Sequence, residues 1–311
     1  MACMKKSVLC LVFLLALFAC TTTTKQTEPT GTNFRYGTEG LGISFVPNLP
    51  PARVYDSSPF EAVVQVENKG TSDAVGSLYL SGFDQNMIAG IGTQGKPIEA
   101  LKGRTQYMPK GEMDTISFSG TIPILKNIDK YQPTLLATAC YTYFTSANAQ
   151  VCIDPNPYAP TRMEKVCVPG PVSLGSQGAP IAITGVQVDA APGTTRFSIS
   201  VQNVGSGDVF KSEAYQSCSP YGAGLSFNDV DFVRVLDVIV GDTTIMRSCK
   251  PLSESIEGSG YLRLSNGAGS FFCELSGIVG QSAYLTPLSV FLEYGYKQSI
   301  SKPVEILHVE R

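Results

Sequence analysis

Tryptophan is absent from the 311 residues, histidine occurs once, and charged side chains make up only 16%. Each shortage removes a class of function. The single imidazole, His308, leaves little equipment for acid–base chemistry. It alternates with Ile306 and Glu310 near the chain end, which reads as an exposed strand-end position rather than a catalyst. No Gly-x-Ser-x-Gly elbow, P-loop or dinucleotide fingerprint occurs, so the common signatures of hydrolases and nucleotide-binding enzymes are missing. Lys and Arg number 23 against 26 Asp and Glu, a net charge of −3, with no basic footprint for nucleic acid. Cys-x-x-Cys spacing is also lacking; no metal site and no cofactor are expected. None of the Asn residues lies in an N-glycosylation sequon. No apolar run reaches the ~20 residues that a membrane-spanning helix needs.

What is present begins with an export signal. Lys5 and Lys6 precede an unbroken apolar run, Val8 to Ala19, which has the length of a signal-peptide core. The run ends at Leu17-Phe18-Ala19-Cys20. A small residue followed by Cys at that point resembles a prokaryotic lipobox, although Phe18 is bulkier than the residue usual there. The resemblance implies cleavage before Cys20, acylation of its thiol, and attachment to the cell membrane facing outside the cytoplasm. Residues 1–19 are then a signal peptide. Residues 20–33, with Thr21-Thr22-Thr23-Thr24 directly after Cys20, are too polar to join a core and read as a solvated tether.

The remainder repeats itself. Val64-Gln65-Val66-Glu67-Asn68-Lys69-Gly70 returns as Ile199-Ser200-Val201-Gln202-Asn203-Val204-Gly205. Tyr141-Thr142-Tyr143 ahead of Val151-Cys152-Ile153 returns, at the same spacing, as Tyr294-Gly295-Tyr296 ahead of Val304-Glu305-Ile306. Two matches in the same order argue for a duplicated unit. Short alternating runs divided by Gly and Pro predict an all-β chain of two tandem immunoglobulin-like β-sandwiches. The first spans 34–168, a Pro- and Gly-rich linker spans 169–180, and the second spans 181–311. Strands are expected at 43–46, 60–67, 76–81, 115–122, 135–144 and 150–153. In the second half they are expected at 183–188, 196–202, 232–240, 243–248, 261–264, 270–275, 288–296 and 303–308. Gly241-Asp242 marks a two-residue hairpin turn. The Gly-rich stretch 83–108 reads as a long contact loop.

A strand running into Asn-x-Gly, then Gly111-Glu112 ahead of another strand, resembles CARDB-type immunoglobulin-like modules of prokaryotic surface proteins. Ser265-Asn266-Gly267-Ala268-Gly269 before Phe272-Cys273, and Leu292-Glu293-Tyr294-Gly295-Tyr296, are similar to archaeal-type ectodomains of the same kind. The resemblance implies adhesion, spacing or display at the cell surface and brings no catalytic residues.

Once Cys3 and Cys10 leave with the signal and Cys20 is lipidated, six Cys remain, an even number in an exported chain. Cys249 and Cys273 flank neighbouring strands and form the first expected pair. Cys152 has two options, Cys140 across a hairpin or Cys167. Glu293 and Glu305 stand at the positions matching Cys140 and Cys152, and like charges do not sit opposite each other, which favours Cys152–Cys167. Cys140 and Cys218 then join the halves or stay apart. Tyr141, Tyr143, Tyr294 and Tyr296 alternate on one strand face, either as cross-strand packing or as a strip that binds protein or glycan. Asn228-Asp229-Val230-Asp231 offers too few oxygens for calcium and reads as a turn. Ser299-Ile300-Ser301-Lys302 has the Ser-x-x-Lys spacing but falls in an expected hairpin. The expected function is that of a non-enzymatic surface lipoprotein. A subunit of an envelope assembly or filament, and a secreted hydrolase with an unrecognised site, are the alternatives.

Overall fold

A computed structural model of the chain describes residues 34–158, 165–256 and 258–310. The signal peptide, Cys20 and the tether lie outside the described residues. Alternating apolar and polar residues make most of the chain β-strand, because each strand can then bury one face and wet the other. The first half carries β1 (Leu41–Phe45), β2 (Arg53–Tyr55), β3 (Pro59–Asn68) and β4 (Ala74–Ser81). It continues with β5 (Lys96–Leu101), β6 (Met113–Thr121), β7 (Lys130–Tyr131) and the twenty-residue β8 (Thr134–Ile153). Then come β9 (Pro171–Ser173), β10 (Ile181–Ala191), β11 (Thr194–Asn203) and β12 (Asp208–Phe210). The rest are β13 (Phe232–Val240), β14 (Thr243–Thr244), β15 (Ser253–Ile256), β16 (Ser259–Arg263), β17 (Ala268–Ser276), the twenty-residue β18 (Tyr284–Pro303) and β19 (Glu305–Leu307). Short 3-10 turns occupy Ser212–Cys218 and Met246–Ser248.

The central sheet runs β15-β16-β13-β18-β8-β4-β5, with β12 added on β18 and β14 on β13. Its spine is the antiparallel β8–β18 pair, in register along all twenty residues from Tyr284↔Ile153 to Pro303↔Thr134. Two smaller sheets, β1-β3-β6 and β17-β11-β10-β9, repeat the same strand plan. Alternation decides which face they cover. Tyr141, Tyr143, Tyr294 and Tyr296 share one face of β8 and β18, and their hydroxyls reach β1, β3 and β10. Both small sheets therefore lie over the tyrosine face, and one continuous apolar core fills the space between.

The expectation of two tandem domains joined by a linker meets a different arrangement. Residues 34–311 form one compact unit. The duplicated strands are hydrogen-bonded to each other as the middle of one sheet, and residues 171–173 of the expected linker are strand β9, paired with β10. The last strand, β19, crosses back to pair in parallel with β2 and antiparallel with β7, so the chain end belongs to a sheet built from the first half.

Most expected strands are present within a residue or three. Three differences have plain causes. Residues 145–149, too small and polar to read as strand, continue β8 because β18 offers them a complete partner ladder. Residues 246–248 leave the strand for a 3-10 turn after a two-residue hairpin, where Gly241 takes φ +58°. The stretch 83–108 is not an open loop: it contains edge strand β5 and is bridged at Ala89↔Thr121.

Candidate functional site

The four tyrosines are not a surface. Each is at most 1% exposed, so the binding-strip expectation is corrected, and the packing alternative is the one the structure adopts. Their rings meet at centroid distances of 5.8–6.4 Å, mostly edge-on or tilted. Burial alone does not explain tyrosine in place of phenylalanine; the hydroxyls do. Tyr143 donates to Asn68 Oδ1 (3.1 Å) and accepts from the Ser72 amide (3.2 Å). Asn68, wholly buried, also accepts from the Gly70 amide and donates to the Ser72 and Leu101 carbonyls. The second half repeats the latch. Tyr296 donates to Asn203 Oδ1 (3.1 Å) and accepts from the Gly207 amide (2.8 Å). Asn203 in turn accepts from the Gly205 amide and donates to the Gly207 carbonyl. The glycine of Asn-x-Gly is required by this contact: a Cβ on Gly70 would sit 1.9 Å from the Tyr143 hydroxyl, and one on Gly205 2.3 Å from that of Tyr296. The remaining pair hold the leading strands, Tyr141 accepting from the Leu41 amide and Tyr294 from the Ile181 amide. Desolvation pushes all four phenols above their ordinary range.

Cys249–Cys273 and Cys152–Cys167 are bonded as expected, and Cys140–Cys218 supplies the third disulfide. The alternative Cys140–Cys152 hairpin does not exist, because both residues lie on the single strand β8. Cys140 points away from the tyrosines. There, with Tyr79, Phe210 and Cys218, it forms a separate small cluster on the outer face. The segment 211–231 lies over that face, with Tyr215 donating to Ser77 Oγ (2.7 Å) and Tyr221 to the Leu80 carbonyl (2.6 Å). Three disulfides fit an oxidising, extracellular setting. No helix among the described residues is long and apolar enough to cross a membrane.

His308 is not a loose strand-end residue. Its Nδ1 lies 2.6 Å from Oδ2 of the buried Asp56, which also accepts from the Leu125 and Val309 amides. The bond to His308, followed by those amides, holds the Asp56 carboxyl below its usual range against desolvation. A carboxylate on Nδ1 is how a catalytic imidazole is oriented. Here, however, no described Ser, Thr or Cys side chain hydrogen-bonds the ring, and the pair clasps the chain end to the turn after β2. Ser299 lies inside β18 against Thr138 (2.8 Å), and Lys302 Nζ lies 5.5 Å from the centre of the Phe45 ring. Asp229 caps its own turn through Ser226, and no cluster of three metal-ligating side chains occurs among the described residues.

The surface feature that sequence reasoning missed is an apolar rim. Tyr284 and Leu285 open β18 opposite Ile153 and Cys152. The Cys152–Cys167 bond brings Val166 and Val168 there, and Lys165 ties the strand exit by bonding Asp154 (2.6 Å) and the carbonyls of Asn156 and Pro157. Pro155 packs beside Gly280, next to Val279. Val166, Val168, Val279 and Tyr158 are 77–90% exposed, and Tyr284 and Leu285 about half. The segments are far apart in sequence and individually unremarkable, so only the disulfide and the β8–β18 register place them at the same end of the spine. No family model and no curated protein matches the chain.

Proposed function

We propose that this is a non-enzymatic surface protein that binds or displays through its loops, carried outside the cytoplasm by the signal at residues 1–19 and anchored through acylated Cys20. The resemblance to CARDB-type immunoglobulin-like modules supports the same reading. The apolar rim around Cys152–Cys167 carries it: exposed aliphatic and aromatic side chains at one disulfide-braced end mark a contact surface. A protein or glycan of the cell surface is the ligand in this reading.

One experiment tests anchor and rim together. Intact cells are treated with a membrane-impermeant cross-linker, and the protein is recovered by detergent-phase partition. The wild type is expected in the detergent phase with a cross-linked partner. Cys20→Ser should move it to the aqueous phase. Val166→Glu with Val279→Glu should abolish the cross-link while leaving partition and melting temperature unchanged. Recovery of the wild type from the cytosolic fraction with titratable thiols would overturn the export reading. Undiminished cross-linking by the double variant would overturn the rim.

A further inference from the structure

From segments other than the rim, and independently of that reading, the structure assigns a second binding site: we infer that the cleft over Arg104 takes a small oxyanion that also carries hydroxyl or ammonium donors. The cleft is open, of about 270 Å³, and its charged lining is Lys69, Arg104 and Lys110 against Glu39 and Glu67. Arg104 is the decisive residue. It is only 7% exposed, yet no carboxylate lies within ion-pairing distance among the described residues.

The guanidinium is held rather than neutralised. The backbone amide of Arg104 donates to the Gly70 carbonyl (2.7 Å), tying the residue to the Asn68 turn. Its Nη2 donates to the Tyr36 carbonyl, and Cζ lies 4.0 Å from the centre of the Tyr36 ring. Its Nε is sealed from solvent without a partner. Nη1 makes no hydrogen bond among the described residues, and Arg104 lines the cleft. A ring face and a carbonyl offset part of the desolvation of a buried cation, but they supply no counter-charge. An oxyanion accepting from Nη1 would supply it through a charge-assisted hydrogen bond.

The rest of the lining narrows the ligand. Lys69 and Glu39 satisfy each other at 3.2 Å, so neither dominates the field of the cleft. Lys110 has no acidic partner among the described residues and adds attraction for an anion at the mouth of the cleft. Glu67 has no basic partner among the described residues, and its carboxylate calls for a donor on the same ligand. An anion with donors beside it, as in a sugar acid or an α-amino acid, meets both requirements; a bare dianion faces Glu67 unfavourably.

The test is a titration of the purified protein followed by amide NMR, with glucuronate, glycine, inorganic phosphate and neutral glucose as probes. Saturable shifts confined to residues 36–39, 67–70 and 104–111 with glucuronate or glycine, and none with glucose, are expected. Arg104→Gln should weaken binding about tenfold or more, as for loss of a charge-assisted hydrogen bond. Because that variant also removes a packing contact, Lys110→Glu provides the independent check. It lies on the exposed rim, should leave the melting temperature alone, and should still weaken binding about threefold. Phosphate binding more tightly than both carboxylates would overturn the assignment of Glu67 as a donor-reading group. No saturable shift with any oxyanion, or wild-type affinity in both variants, would overturn the site.

Discussion

The two halves of the molecule share an interior and differ in their covering. On the inside, each has the same latch: a tyrosine from the spine strand donating to the asparagine of an Asn-x-Gly turn, with a nearby amide donating back. Thr142 faces Gly295 at the middle of the spine, each lying between the two tyrosines of its own strand, so the likeness is close to two-fold. Outside, the halves part. Val75, after the first Asn-x-Gly turn, pairs opposite Thr142 and is 52% exposed. Phe210, after the second, pairs opposite Gly295 and is fully buried, so close that a Cβ on Gly295 would lie 2.2 Å from its ring. From Phe210 the chain runs over the outer face of the first half and is bolted there by Cys140–Cys218. Duplication was kept where buried polar groups must satisfy one another and was relaxed where water or a covering segment could stand in.

The covering segment offers the largest effect with which to break this comparison. Replacing Cys140 and Cys218 by Ala opens a closure of 78 residues and should cost about 4 kcal/mol of stability. Thermal unfolding gives the total, and amide exchange should place the loss in residues 211–231 and β4 rather than at the two latches. Equal loss of protection at Asn68 and Asn203 would mean that the cover and the latches are one unit. Next come the latches. Asn68→Ala should destabilise by about 3 kcal/mol and Asn203→Ala by about 2, because Asn68 is wholly buried and makes one bond more, to the Leu101 carbonyl. Chemical denaturation of both variants tests the order; a larger loss at Asn203 would sink the claim that these bonds set the strength of each half.

The smallest effect concerns the clasp found on one side only. Asp56 has a lowered carboxyl pKa in the fold, chiefly through His308, so its contribution is present above the ordinary carboxylate value of about 4. It is lost as pH falls through the lower folded value. Asp56→Asn should therefore show a shallower fall in melting temperature below about pH 4, with little change in slope between pH 5 and 8. An acid limb identical to that of the wild type would remove the carboxylate from the account.

How far the sequence revealed this follows the range of the contacts. Alternation located the long strands, since it records one buried face per strand. It missed β5 and β9, which contain Pro97 and Pro171 and are tolerated as strands only because they lie at sheet edges. It also broke β8 at Thr145, whose hydroxyl is buried against the Ile181 carbonyl and the Tyr294 hydroxyl. For the tyrosines the signal was present but divided. Asn-x-Gly and Tyr-x-Tyr recurred together because they are two ends of one hydrogen-bonded device, and neither match alone says so. Arg104 carried no signal, since its isolation from carboxylates is a property of tertiary packing alone.

The twenty-residue spine pairing also bears on biosynthesis. β18 is the partner that β8 requires along its whole length, yet ribosomes finish it about 150 residues after β8. A newly made polypeptide therefore carries β8 unmatched over that interval, and pairings of such long reach are slow to close. Passage through a translocation pore as an unstructured thread would suit this timetable, and any truncation before residue 284 would leave the first half without its wall.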